Sequence, residues 1–353
     1  MLDFYELYVR TKIGHLATSM SSNNSFVPKK ILLIKLRKLG DVLSTTPVAR
    51  QLRNLYPDAE ITFLTEPLGA NVYKHSTYID HLLILSRKPS WVEYVKMIFK
   101  VTRSNFDLVI DFYDHNKTAL ITLFSGAKYR YGFSKTGKRT LSYNRVVSLT
   151  TDDAKNVYCA NHQLKLTSAL GTSINDNLVE IKVNDEVRKR GREFVKVNKI
   201  GGNTIGFCVL SERALAQVSV ELFIKIGDYL VGNGFSLYFI YGPNEKHLAQ
   251  KVYDKMENKD ACIIDYEVPT VVEQRVILEA CCLYVGNDGG NKHLAVAAGI
   301  PTIGLFYSDQ PLVWTPEDRT LHRFLQTKEN ENAFEEFKDL FSKWSFEEGK
   351  FIK

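Results

Sequence analysis

The chain alternates short, unbroken apolar runs with longer stretches in which apolar residues recur at helical spacing. In the first half the runs are Ile31 to Leu36, Ile61 to Thr65, His81 to Leu85, Leu108 to Phe112 and Arg130 to Phe133. They read as strands buried on both faces, with Pro47 to Tyr56 and Trp91 to Arg103 as helices between them. The second half repeats the alternation. Its strands are Thr204 to Val209, Ser236 to Tyr241, Ala261 to Ile264, Cys282 to Val285 and Thr302 to Phe306, and its helices begin near Val220, Glu245, Val271 and Asn291. Strand and helix in alternation predict α/β architecture with parallel sheets covered by helices, and 353 residues accommodate two such domains.

Residues 1–27 form an extension in which Phe4, Leu7, Tyr8 and Ile13 stripe a short helix ahead of a Ser/Asn linker. The first domain is expected over residues 28–172 and the second over 173–329. A basic stretch, 134–150, is placed to reach over a cleft, and a helix from about Tyr158 to Leu170 leads to the connection. In residues 330–353, Phe334, Phe337, Leu340, Phe341 and Trp344 fall at helical spacing and predict an amphipathic helix from Glu331 to Phe346.

Two segments carry candidate chemistry. Ile31 to Lys35 runs through Gly40-Asp41 into a helix, and Leu283-Tyr284-Val285 breaks at Gly286-Asn287-Asp288-Gly289-Gly290 into another. Each puts polar groups at the carboxyl end of a strand beside a helix N-terminus, where open α/β sheets bind ligands. From spacing alone, Asp41 is either a helix-capping carboxylate or a general base.

Charge narrows the partner. Residues 29–145 hold 20 Lys and Arg against 9 Asp and Glu, whereas the chain from Thr150 onward is net negative. A basic first half suits an acidic partner. The basic residues are spread over several elements without a nucleic-acid motif, so nucleic acid is not expected. No apolar stretch approaches the length of a membrane span, and no secretory leader is expected at the N-terminus. Five dispersed cysteines read as reduced thiols, and no His, Asp, Glu or Cys cluster has metal-ligand spacing.

Gly40-Asp41-Val42-Leu43 with Thr46-Pro47, followed by Ala49-Arg50-Gln51-Leu52-Arg53 and Tyr56-Pro57, resembles the amino-terminal signature of glycosyltransferase family 9, the lipopolysaccharide heptosyltransferases. Asp288 to His293, running into Ala297-Ala298-Gly299-Ile300-Pro301-Thr302, is similar to that family's carboxy-terminal signature. The resemblance spans roughly residues 29–345. It implies a GT-B fold of two Rossmann-like domains facing a central cleft, with the terminal helix packing back on the first domain. It also implies metal-independent, inverting transfer of L-glycero-D-manno-heptose from ADP-heptose to a lipopolysaccharide inner-core acceptor, at the cytoplasmic face of the inner membrane. No cofactor is expected.

By the same resemblance Asp41 is the base, Asp288 contacts the transferred sugar, and His293 lies near the phosphates. Gly289 and Gly290 give the donor room to approach. Ser211 matches a phosphate-binding hydroxyl, and Asn244 or Glu245 falls where an acidic residue meets the ribose. Lys35, Arg37, Lys38, His115, Lys135, Lys138 and Arg139 are the candidate contacts to the acidic acceptor, His115 alternatively being a helix cap. Asp111 and Asp114, at the end of another buried strand, are rival carboxylates. One departure stands out: Ala216 or Gln217 occupies the position where the family has a Lys facing the diphosphate, leaving Arg213 and Lys292 as substitute cations. A dinucleotide-binding oxidoreductase would need Gly-x-Gly-x-x-Gly after the first strand, where this chain has Arg37-Lys38-Leu39-Gly40-Asp41. A silent nucleotide-sugar-binding homologue is the remaining alternative, as is the same fold acting on another nucleotide sugar.

Overall fold

The apolar run after Lys29 forms β1 (Lys30–Lys35), paired with strands on both sides and buried from Ile31 onward because both faces of the sheet are covered. The computed structural model describes residues 26–133, 141–211, 217–308, 310–347 and 350–352. After β1 come α1 (Leu39–Leu43), α2 (Thr46–Leu55), β2 (Glu60–Thr65), α3 (Pro67–Tyr73), β3 (His81–Ile84) and α4 (Trp91–Arg103). Then follow β4 (Leu108–Asp111), α5 (Asn116–Phe124), β5 (Tyr129–Phe133) and β6 (Arg145–Val147). These six strands are parallel, in the order β3-β2-β1-β4-β5-β6.

The chain then forms α6 (Thr151–Asn156) and α7 (Cys159–Thr167) and crosses over before α8 (Asp185–Val197). The second sheet is built from β7 (Thr204–Cys208), α9 (Val220–Gly232), β8 (Ser236–Phe239), α10 (Lys246–Tyr253), β9 (Cys262–Ile263), α11 (Val271–Leu278), β10 (Leu283–Asn287), α12 (Gly290–Ala298), β11 (Thr302–Phe306), α13 (Pro311–Trp314) and β12 (His322–Gln326). Its parallel order, β12-β11-β10-β7-β8-β9, repeats that of the first sheet. α14 (Ala333–Ser342) and an antiparallel pair, β13 (Ser345–Glu347) with β14 (Lys350–Ile352), follow. Strand order reverses between β1 and β4 and again between β7 and β10, which creates a ligand crevice at the carboxyl ends of each pair.

Packing runs in layers. α4 and α5 cover one face of the first sheet, with Tyr94, Met97, Val101 and Ile121 against Leu32, Ile34 and Leu64. On the other face, Ile31, Leu33 and Leu39 belong to an apolar cluster that continues into Val276, Tyr284 and Leu294 of the second half. The far face of the second sheet is closed by α9 and α10. Residues 172–184 lie along α2: Gln51 donates to Ser173 O (3.0 Å) and accepts from Ser173 N (2.7 Å), and Arg50 Nη1 donates to Glu180 Oε1 (2.7 Å). α8 instead packs on α11, so the crossing lies just ahead of Asp185.

The terminal helix departs from expectation. It is shorter than the spacing predicts and packs on α9 and β12 of the second half, not back on the first domain. Phe337 and Phe341 join Leu230 and Phe235 in the second domain's outer core, and Trp344 Nε1 donates to Thr320 O (2.8 Å). Only the six residues 327–332 separate it from β12, so it packs beside the strand it follows. Phe337→Ala is expected to lower unfolding free energy by about 3–5 kcal/mol, read by urea denaturation.

Candidate functional site

β1 ends on Lys35, whose ammonium is buried between two strands. Its Nζ donates to Phe112 O just past β4 (2.9 Å) and lies 3.8 Å from Asp41 Oδ1. Burial pulls the Lys35 pKa down, and the neighbouring Asp41 charge opposes that pull. Lys38, extended at φ −66° and ψ 168°, starts α1 without a side-chain cap, so Asp41 stands in the first turn and is not the capping residue. Arg37 Nε sits 3.6 Å from the same Asp41 oxygen, and the Arg37 guanidinium lies over the Tyr113 ring at 5.2 Å. At these separations both cations act on Asp41 through charge, not hydrogen bonding. Among the described residues no group donates a hydrogen bond to its carboxylate oxygens, which leaves them available to an incoming hydroxyl.

The second half repeats the device. β10 delivers Asp288 to the mouth of α12, and Lys292, one turn on, is fully buried beneath it with Nζ 2.5 Å from Asp288 Oδ1. Lys292 Nζ also donates to Trp314 O (2.9 Å) and sits over the Phe306 ring at 4.3 Å. Each half therefore carries a carboxylate above a buried lysine that is itself tied to a neighbouring backbone carbonyl.

The two halves meet directly. A Cβ on Gly40 would lie 2.4 Å from His293 Cδ2, so only glycine lets the α1 backbone approach the imidazole. A Cβ on Gly290 would in turn meet Leu39 Cδ2 at 3.3 Å. His293 is buried, with its ring edge toward Trp314 at 5.7 Å. Burial, aided by the Lys292 charge, takes its pKa down to about 4, so the imidazole is neutral near pH 7. Asp41, Asp288, His293, Ser211 and Gly289 line one cavity of about 150 Å³. Leu39, Gly289 and Gly290 also border an adjoining cavity of about 260 Å³ walled by Tyr241, Pro243 and Glu245. A further space of about 1030 Å³, between α7, residues 172–179 and the end of α12, is lined by none of the candidate site residues.

The structure redistributes several sequence-predicted roles. Lys292 does not line the cleft and cannot present its charge to a donor there, because burial commits it to Asp288 and Trp314. Lys35 likewise lies beneath Asp41 and offers no surface to an acceptor. Asn244 is exposed in a left-handed turn (φ 65°), outside the adjoining cavity that Glu245 faces, and Glu245 Oε2 accepts from Gly242 N (2.8 Å). Asp111 is fully buried and accepts from Tyr143 OH (2.7 Å) and Tyr113 N (2.9 Å). Burial raises its pKa, and it organises the turn after β4 without opening onto the cleft. Asp114 is buried in a left-handed turn (φ 51°). His115 caps α5 through Nδ1, which accepts from Lys117 N (3.3 Å), and stacks on Tyr113 at 5.1 Å. Arg37 and Lys38 border the small cavity. Arg213, Lys135, Lys138 and Arg139 lie outside the described residues.

Two residues take parts that the sequence does not assign to them. Trp314 walls the cavity from a four-residue helix too short to show periodicity. Gln217 closes the loop after β7 on itself: its Oε1 accepts from Ser211 N (2.8 Å), and its Nε2 donates to Val209 O (2.7 Å) and Val218 O (2.9 Å). Asn287 adds to this clamp through Val209 O and Val218 N. Among the described residues no group of three or more His, Cys, Asp or Glu could hold a metal ion.

Two parallel sheets in the same strand order, meeting through their switch-point helices with a carboxylate from each in one cavity, form the GT-B architecture. The profile of glycosyltransferase family 9 (heptosyltransferase) matches residues 95–344, and the chain belongs to that family. Escherichia coli lipopolysaccharide heptosyltransferase 3 is 24% identical over 81% of this chain and 85% of its own length. A Veillonella parvula glycosyl transferase of family 9 superposes with a TM-score of 0.73 at 21% identity, covering 92% of this chain and 94% of that one. E. coli heptosyltransferase WaaC with ADP superposes with a TM-score of 0.68 at 17% identity, covering 89% and 98%.

Lys292→Met strands the Asp288 carboxylate without its counter-ion and is expected to cost about 3–5 kcal/mol of stability, read by urea unfolding. An unfolded imidazole binds its proton near pH 6.5, and folded His293 and His322 do so only near 4. The unfolded chain therefore takes up more protons between those values, and stability present above pH 6.5 declines as pH falls toward 4. His293→Gln should make that decline shallower, measured as the urea midpoint across the same window.

Proposed function

We propose that this enzyme transfers a heptose from ADP-heptose to a lipopolysaccharide inner-core acceptor with inversion at the anomeric carbon and without a metal ion. The observation that carries the reading is Asp41 sharing one cavity with Asp288 and His293 where the two switch points meet. The acceptor hydroxyl gives its proton to Asp41 as its oxygen attacks the anomeric carbon. The bond from that carbon to the β-phosphate oxygen breaks on the opposite face, and its electron pair leaves on ADP. Lys35 and Arg37 stand 3.8 and 3.6 Å from the same Asp41 oxygen and hold the carboxylate at the mouth of the cavity.

Charge building on the diphosphate is met by backbone N–H groups at the start of α12. His293 contributes hydrogen bonding there without charge, because its imidazole is neutral. Ala216 or Gln217 stands where the family carries a Lys, Gln217 is committed to Ser211 N and Val209 O, and Arg213 is the candidate cation. E. coli heptosyltransferase WaaC has been solved with ADP-2-deoxy-2-fluoro heptose, and we extend that donor to this chain. The basic first half suits the acidic inner core, and the acceptor's lipid anchor would bring the enzyme to the cytoplasmic face of the inner membrane.

Purified protein given ADP-heptose and truncated core acceptors in the presence of a chelator is expected to release ADP and glycosylated product. Asp41→Asn should lower kcat about 10²–10⁴-fold with the donor KM little changed. A requirement for added divalent cation would overturn the mechanism. Donor binding without turnover in the wild type would favour a silent homologue, the alternative that the displaced Lys supports.

A further inference from the structure

We propose that the outer face of α4 and α5 is a docking surface for anionic lipid. The two helices lie side by side as the outermost layer of the first domain: Tyr94 OH donates to Lys117 O (2.7 Å) near their starts, and Thr102 Oγ1 donates to Phe124 O (2.7 Å) near their ends. Tyr94, Met97, Val101 and Ile121 satisfy the sheet beneath. The opposite side nevertheless stays apolar. Trp91 is 77% exposed, Val92 59%, Phe99 58% and Phe124 52%, with Leu120 and Leu123 exposed between them. A monomer rarely leaves so many large side chains together in water.

Charge identifies the occupant. Lys88, Lys96, Lys100 and Arg103 are exposed around the apolar residues, and the Arg103 guanidinium lies 5.9 Å from the Phe99 ring. The neighbouring carboxylates are committed elsewhere: Glu93 accepts from Ser86 N (2.9 Å), and Asp107 accepts from Lys29 N (2.8 Å) and Lys30 N (2.9 Å). Exposed aromatics ringed by long cationic side chains match the boundary of an anionic bilayer, where the rings enter the interface and the cations meet headgroup phosphates. Placement agrees with this. α4 and α5 both begin at the carboxyl edge of the first sheet, and Tyr113, beside the start of α5, carries Arg37 on its ring. A surface docked through this face holds the Asp41 rim close to lipid-borne substrate.

The proposal rests on the functional reading above only for the identity of that substrate, and the two fail separately. Full-length protein is mixed with extruded vesicles of phosphatidylcholine, alone or with added phosphatidylglycerol, and partition is read by sedimentation and tryptophan fluorescence. Binding is expected only to the anionic vesicles, falling at least about tenfold in W91S/F99S and in K96E/K100E/R103E. Circular dichroism and transfer to a soluble acceptor should match wild type in both variants. No binding by the wild type, or equal binding by both variants, overturns the proposal. A dimer that W91S/F99S converts to monomer overturns it too, assigning the face to a second copy of the chain. Vesicle binding that persists without any transferase activity counts against the functional reading alone.

Discussion

The contact between Gly40 and the His293 ring is the constraint on which the site depends. It allows two helices from different sheets to cross at the distance that backbone against imidazole permits, so the carboxylate on one and the glycine turn on the other share a small space. A side chain at position 40 would force the halves apart before any chemistry was altered. The two motifs are thus geometrically one device, although about 250 residues of chain separate them.

Beneath that crossing each half uses the same electrostatic construction. Lys35 and Lys292 are buried cations held by a carbonyl of the adjoining strand or helix, Phe112 O and Trp314 O, and each sits under a carboxylate at the mouth of the site. A buried ammonium without a counter-charge is costly. Paired, they fix position as well as charge. The 3.8 Å gap at Lys35 leaves the Asp41 oxygens unengaged, whereas the 2.5 Å contact at Lys292 commits one Asp288 oxygen. That difference leaves one carboxylate open to the cavity and the other anchored.

Much of this architecture was legible in the sequence. Central strands such as β1, β4, β7 and β10 are buried on both faces and show as unbroken apolar runs, and both motif turns follow directly from them. Edge strands were harder to see. β6 and β12 carry partly exposed positions, and β6 falls in the stretch that reads as a basic loop. α5 is nearly featureless by periodicity because Ala119, Leu120, Ile121, Leu123 and Phe124 place apolar groups around most of its circumference. The functions of Lys35 and Lys292 were misjudged for a shared reason: their charge suggested a solvent-facing contact, and nothing local shows that a long stem has turned inward. The terminal helix was misplaced by analogy, although its stripe at Ala333, Phe337 and Phe341 finds a partner only a short tether away.

The apolar cluster that runs from Ile31 and Leu33 through Leu39 to Leu294 and Tyr284 has a consequence for the molecule as a whole. The two sheets are not beads on a string, because each completes the flank of the other. Splitting the polypeptide ahead of Asp185 would leave both pieces with a greasy side open to water. Neither fragment would then be a fair miniature of the intact transferase, and each would be prone to self-association in isolation.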